Sequence, residues 1–231
     1  MKKMLVLTGL VLIACFVITP FDKTHAEELL GTGTNSLLGG DLTDPENDGA
    51  ADADEGYNAK FSSNNEPGFG GGEFSFNVFD NILGGGNAKW CCGPGGGIPD
   101  EGLHITAEFD MAYVLTHFTV SSANDVPARD PTEWEIQGSN DGEDFTTIYA
   151  RDGDTIWTER LQVARFDAGE DFDVQKTGYK FFRFVTFNTA SNPNGAYFQV
   201  GEVEYFGVDS TTDVDPKAKL TTTWGSIKNA R

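Results

Sequence analysis

Two short runs carry the side chains best suited to chemistry. Asp44-Pro45-Glu46-Asn47-Asp48-Gly49-Ala50-Ala51-Asp52-Ala53-Asp54-Glu55 has acids at positions 1, 3, 5, 9 and 12 of a twelve-residue loop, with glycine at position 6. That is close to the spacing with which an EF-hand loop surrounds calcium. Position 3 is Glu, position 8 is Ala and neither flank reads as helix, so a solvated acidic linker is the stronger expectation. The second run is Cys91-Cys92, which with Cys15 makes up the cysteine content of the chain. In an oxidising compartment adjacent cysteines can close a vicinal disulfide that stiffens a loop; otherwise they stay free or pair between chains. Two cysteines without further Cys or His partners make a poor zinc site. Catalytic chemistry finds little support. His104 and His117 both fall inside strand patterns, and no G-x-S-x-G, H-E-x-x-H or Cys/His pairing occurs. The chain is expected not to be an enzyme. With 36 Asp and Glu residues, carboxylate pairs arise at any spacing, so no glycosidase dyad can be claimed.

The elements that must hold these residues read as short strands. Leu103–Phe109, Val114–Ser121, Trp134–Ser139, Phe145–Ala150, Phe181–Asn188 and Val200–Phe206 show apolar alternation with turn residues between them, which predicts an all-β fold. Phe118 and Val120 alternate with Thr119 and Ser121, the pattern of a half-buried strand. Trp134, Ile136 and Gly138 share one face of the next, and Asn140-Asp141-Gly142 closes it with a turn. Glycine clusters at 70–72, 84–86 and 95–97 mark long loops. Residues 27–56 read as an acidic, partly disordered leader, 57–207 as one domain and 208–231 as a tail. The tail is either a frayed end or a docking peptide centred on Trp224.

Several of these segments together resemble the discoidin domain, also called the coagulation factor V/VIII C-type domain, of the galactose-binding-like superfamily. The segments are F-N-V-F-D-N at Phe76–Asn81 with Lys89-Trp90, W-E-I-Q-G-S-N-D-G at Trp134–Gly142, Y-K-F-F-R-F-V-T-F at Tyr179–Phe187 and F-Q-V-G-E-V-E-Y-F-G at Phe198–Gly207. The resemblance implies an antiparallel jelly-roll β-sandwich. Bacterial members of the superfamily are often carbohydrate-binding modules.

The resemblance also implies sites. The family's calcium lies where the segment before the Trp meets the closing strand, which carries Asp80 and Glu202 over as ligands, with Asn81 and Asn87 as supplements from the same loop. Asn81 stands where the family has glycine, and the loop before Trp90 is longer and richer in glycine. In sugar-binding relatives an Arg and an Asn on one loop orient hydroxyls while an aromatic before the closing Glu stacks on the ring. By position these are Asn124, Arg129 and Tyr197. The loop A-N-D-V-P-A-R-D-P departs from those relatives' pattern, and Arg129 pairing with Asp130 to shape the loop is the competing expectation.

Residues 1–26 have the charged, apolar and small-residue layout of a secretory signal peptide with cleavage after Ala26. Leu12-Ile13-Ala14-Cys15 also matches a lipobox that would lipidate Cys15. The apolar run is too short for a comfortable membrane span. The expectation is therefore a secreted or surface-attached protein. A formal net charge of −20 repels nucleic-acid phosphates, which makes nucleic acid a poor partner. The expected function is a secreted, non-catalytic module that binds glycan at a cell surface or in matrix, with a structural Ca²⁺. A protein-binding adhesion module is the alternative, and a small secreted hydrolase a weaker one. Oligomeric state is left open.

Overall fold

The computed structural model describes residues 27–44, 57–66, 72–93, 97–191 and 197–210. The expected signal peptide with Cys15, most of the EF-hand-like run and the tail from residue 211 with Trp224 lie outside the described residues. Among the described residues no helix is long and apolar enough to cross a membrane.

The described residues form ten strands: β1 (Glu28–Thr32), β2 (Ala59–Ser63), β3 (Trp90–Cys92), β4 (Leu103–Ser121), β5 (Pro131–Ser139), β6 (Thr146–Asp152), β7 (Gln162–Asp167), β8 (Tyr179–Thr189), β9 (Phe198–Val200) and β10 (Val203–Asp209). All of their pairings are antiparallel.

The long strand β4 organises both layers. Its first half pairs with β2 on one side and β8 on the other, and β8 continues to β5 and β6. Its second half pairs with β10 and β7, and β7 continues to β1. The β3–β9 pair forms a separate short ribbon. In the first half of β4 the odd residues Leu103, Ile105, Ala107 and Phe109 face the core; near its end Phe118 and Val120 do. A bulge explains the change of phase. Phe206 of β10 is opposite His117 and Gly207 is opposite Leu115, so Thr116 is the extra residue that moves the core-facing set from odd to even.

The layers meet through aromatic rings. Trp134 packs against Phe118 at 6.3 Å and Phe166 at 5.6 Å, and Phe182 against Tyr205 at 5.5 Å. Each such ring contributes about 1.5–3 kcal/mol by leaving water. Trp134, Ile136 and Gly138 share the buried face of β5 as expected. The turn after it is set by Asp141, whose Oδ1 accepts the amides of Glu143 and Asp144, both at 2.9 Å. Gly142 has φ 76°, and a Cβ there would press on the Phe181 ring at 3.1 Å.

Two expectations need correction. Residues 27–44 are not a disordered leader outside the fold: β1 pairs with β7, Leu37 is buried beside Leu83 and Val163, and Asp41 and Thr43 are buried. The segment has little periodicity because its burial comes from one edge strand and a loop. Nor is the Phe118–Ser121 run half-buried. Thr119 and Ser121 are buried as well, because their hydroxyls engage Glu204 and Glu202.

Candidate functional site

Chain ends and loops bring the expected ligand residues to one cluster. The loop after β4 carries Asn124 and Asp125 and ends in a 3-10 turn, Pro127–Arg129. That turn is pinned from below. Asp130 is fully buried and takes both terminal nitrogens of Arg160, one at 2.8 Å, and Gln199 Nε2 donates to the Val126 carbonyl at 2.8 Å. Burial outweighs Arg160's pairing and holds the Asp130 carboxyl above its ordinary range. With Asp130 engaged by Arg160, Arg129 turns elsewhere: its guanidinium lies 5.3 Å from the centroid of Tyr197, a ring that is 47% exposed. The same guanidinium approaches Cys92 Sγ at 3.4 Å and Cys91 Sγ at 3.7 Å.

Cys91 and Cys92 are joined in a disulfide. Glu73 lies close enough for its carboxylate and the two sulfurs to form a potential metal cluster. Bridged sulfurs are not thiolates, and the Arg129 and Lys89 cations border the group, so it is not a metal centre.

Asn124 reaches the cluster through a residue that sequence reasoning did not single out for a site. Lys89 is only 2% exposed, and its ammonium donates to Asn124 Oδ1 at 2.8 Å and Asp125 Oδ2 at 2.8 Å, with Glu73 Oε1 at 3.3 Å. Partial burial pushes Asp125 up, but the hydrogen bond and charge of Lys89, together with Arg129, more than offset it and hold the carboxyl low. The only hint in the sequence was position, since a Lys beside a buried Trp in a short strand must find an internal partner. Glu73 gave no signal at all.

The expected calcium residues separate into two groups. Glu202 is fully buried at the break between β9 and β10. Its Oε1 accepts the Asn81 amide at 3.0 Å, while Oε2 meets no hydrogen-bond donor among the described residues. Burial, then the charge of Asp80, raises its pKa well above the usual carboxylate range. Asn81 is buried with φ 55°, the left-handed region that glycine and asparagine adopt most readily. Gly201 lets Glu202 approach: a Cβ there would come within 2.7 Å of Leu83, Ser121 and Ser122. Asp80, Asn81 and Glu202 thus share one place, and an open oxygen on a buried carboxylate beside two more oxygen-bearing side chains fits a hard cation such as calcium. Asn87 is not brought to it. Its side chain is exposed and lies against Gly72, and its carbonyl accepts Asn77 at 2.6 Å and the Lys89 amide at 2.7 Å.

Two further acids went unnoticed in the sequence. Glu204 accepts the Gly39 amide at 2.7 Å and the Thr119 hydroxyl at 2.5 Å, and Asp41 accepts the Thr43 amide and hydroxyl. Burial pushes Asp41 up to about 8 and raises Glu204. Of the histidines, burial and then Arg183 push His104 down to about 4, and burial lowers His117. Two clefts among the described residues, about 400 Å³ beside Asp41, His117 and Phe206 and about 340 Å³ beside Tyr149 and Phe172, are not lined by the Arg129–Tyr197 cluster. A flat stacking face needs no deep cavity, so the cluster carries the argument here.

No family model matches the chain. CpGH89CBM32-5 from Clostridium perfringens, solved in complex with GalNAc-β-1,3-galactose, superposes with a TM-score of 0.50 at 17% identity. The match covers 65% of this chain and 96% of that one. The fold is discoidin-like. It is an all-β, antiparallel sandwich. CBM62 of Xyl5A from Clostridium thermocellum matches at a TM-score of 0.48 and 17% identity, over 65% of this chain and 95% of its own. In sequence, 100 residues are 24% identical to a peptide-N(4)-(N-acetyl-beta-glucosaminyl)asparagine amidase of Arabidopsis thaliana. The match takes in 42% of this chain and 13% of the amidase.

Proposed function

We propose that the protein is a secreted, non-catalytic module that binds carbohydrate through the Arg129–Tyr197 cluster, at a cell surface or in matrix. The carrying observation is a planar guanidinium held over a half-exposed ring on the loop end of a discoidin-like sandwich. A ring covers the apolar face of a sugar, and a fork of N–H donors orients its hydroxyls. Similarity to a module crystallised with GalNAc-β-1,3-galactose supports the same ligand class for this chain. Asn124 has its oxygen committed to Lys89 and leaves its amide nitrogens as donors to the ligand.

Asp80 and Glu202 hold a structural calcium together with Asn81 and loop carbonyls. The ion neutralises acids that are otherwise buried together and ties the loop before β3 to the β9–β10 break. Bound to the folded state alone, it adds about 2.7 kcal/mol at a hundredfold excess over Kd. The amidase activity of the sequence relative is not carried over, because the match takes in only 13% of that protein.

A glycan array read with calcium and with EDTA tests the reading. Wild-type protein is expected to retain neutral glycans, while Arg129→Ala and Tyr197→Ala lose at least tenfold in affinity at an unchanged melting temperature. Arg129→Ala removes charge-assisted bonds worth about 1.5–3 kcal/mol. No retention of any glycan by the folded wild-type protein, in calcium as well as in EDTA, would overturn it.

A further inference from the structure

Phe74 and Phe76 are the residues that the proposed site leaves unexplained. They flank the start of the 3-10 turn Ser75–Phe79, are 40% and 45% exposed, and hold their rings parallel within 9° at 5.6 Å. Their neighbours point inward: Ser75, Asn77, Val78 and Phe79 are buried. The backbone beneath the rings is fixed. The Ser75 amide donates to Glu66 at 2.9 Å, and Asn77 Nδ2 donates to the carbonyls of Gly72 at 2.9 Å and Asn87 at 2.6 Å. Two large rings left 40% and 45% exposed side by side form an apolar patch, and such patches mark surfaces that meet something.

Their place in the fold says what. The Cys91 amide donates to the Glu73 carbonyl at 3.3 Å, and Cys92 is paired with Phe198. The segment before Phe74, β3 and the segment after Tyr197 therefore run side by side, and at the usual strand spacing Phe74 and Tyr197 are on the order of 10 Å apart. Between them lie the Glu73 carboxylate, the disulfide and Arg129. The exposed Asn87 amide borders Gly72 on the same stretch. Lys89 and Arg129 stand against Glu73 and Asp125 in this strip, and the further acid Glu66 has its carboxylate engaged by Ser75, so no cation is left over to draw an anionic ligand. A ligand for it is thus uncharged, rich in hydroxyls, apolar on its ring faces and longer than one sugar.

Resting on the carbohydrate reading above, we infer that Phe74 and Phe76, with Asn87 at their edge, form a second aromatic subsite, so that the protein binds a neutral oligosaccharide across two platforms. Arg129 and Tyr197 hold one sugar, and the paired rings stack on another further along the chain.

The test is titration of the calcium-loaded protein with galactose and with neutral galactose-terminated glycans of increasing length. Wild-type affinity is expected to rise about tenfold from the monosaccharide to the longer glycans, the gain of one added stacking contact. The Phe74→Ala/Phe76→Ala variant should keep the monosaccharide affinity and the melting temperature while losing that gain, and Asn87→Ala should lose part of it. Arg129→Ala should weaken all lengths together. If length dependence survives in the double variant while Arg129→Ala still abolishes binding, the second subsite is wrong and the carbohydrate reading stands. If wild-type protein binds none of these glycans and instead adheres to protein or lipid through Phe74 and Phe76, both readings fall.

Discussion

Arg129 touches three things at once, the face of Tyr197 and both sulfurs of the bridge, and only a flat, delocalised cation can do so. Arg129→Lys is therefore expected to behave almost like Arg129→Ala, with glycan affinity down about tenfold by calorimetry and no change in the urea midpoint. Retained affinity would mean that charge alone matters. Glu202→Gln separates the metal from the fold. Burial and Asp80 already push the carboxyl toward its neutral form, and an amide replaces it at little cost. The variant should melt within a degree or two of wild type in EDTA and gain nothing on calcium addition. Arg129 and Tyr197 were reached through the family resemblance, by position on their loops, and the cysteine pair through its adjacency in the sequence. Lys89 and Glu73 were not, because a buried ion pair exists only once the segment before β3 is laid against the loop after β4.

At the level of strands, Trp134–Ser139 and Phe181–Asn188 could be read closely because one buried face alternates with a wetter one. β7 could not, since Gln162, Val163 and Ala164 are all buried and leave no period to detect. β2 and β3 are short, and β1 owes its place to pairing with β7 and not to its own pattern. Leu103–Phe109 and Val114–Ser121 read as two strands because the exposed Asp110 and Met111 interrupt the apolar pattern; the backbone is nevertheless continuous. One consequence concerns where the domain starts. A protein beginning at residue 57 would lose β1, the Leu37 side chain from its cluster and the Gly39 amide that satisfies Glu204. Loss of a buried Leu alone costs about 2–5 kcal/mol. Chemical denaturation should show residues 57–210 less stable than residues 27–210 by at least about 3 kcal/mol, whereas equal stability would make the first segment dispensable.

For the molecule as a whole, Asp41, Glu202 and Glu204 are buried acids with raised pKa values, and the sign of their linkage is fixed. Each keeps its proton in the folded state at a pH where the unfolded chain has released it. Without calcium, their contribution is complete below the ordinary carboxylate range and is lost as pH rises; for Asp41 that loss runs from about 4 to about 8. Calcium prefers an ionised Glu202, so its stabilising increment should grow as pH rises above the ordinary carboxylate range. Melting temperatures in EDTA and in millimolar calcium across pH 4–8 should therefore diverge, and parallel curves would remove the metal from the acid cluster. The single backbone of β4 has another effect. Because it supplies neighbours to β8 in one layer and to β10 in the other, neither layer can peel away while leaving its partner intact. Amide protons of β8 and β10 should accordingly exchange with deuterium at one common opening free energy, so that the sandwich comes apart as a single cooperative unit.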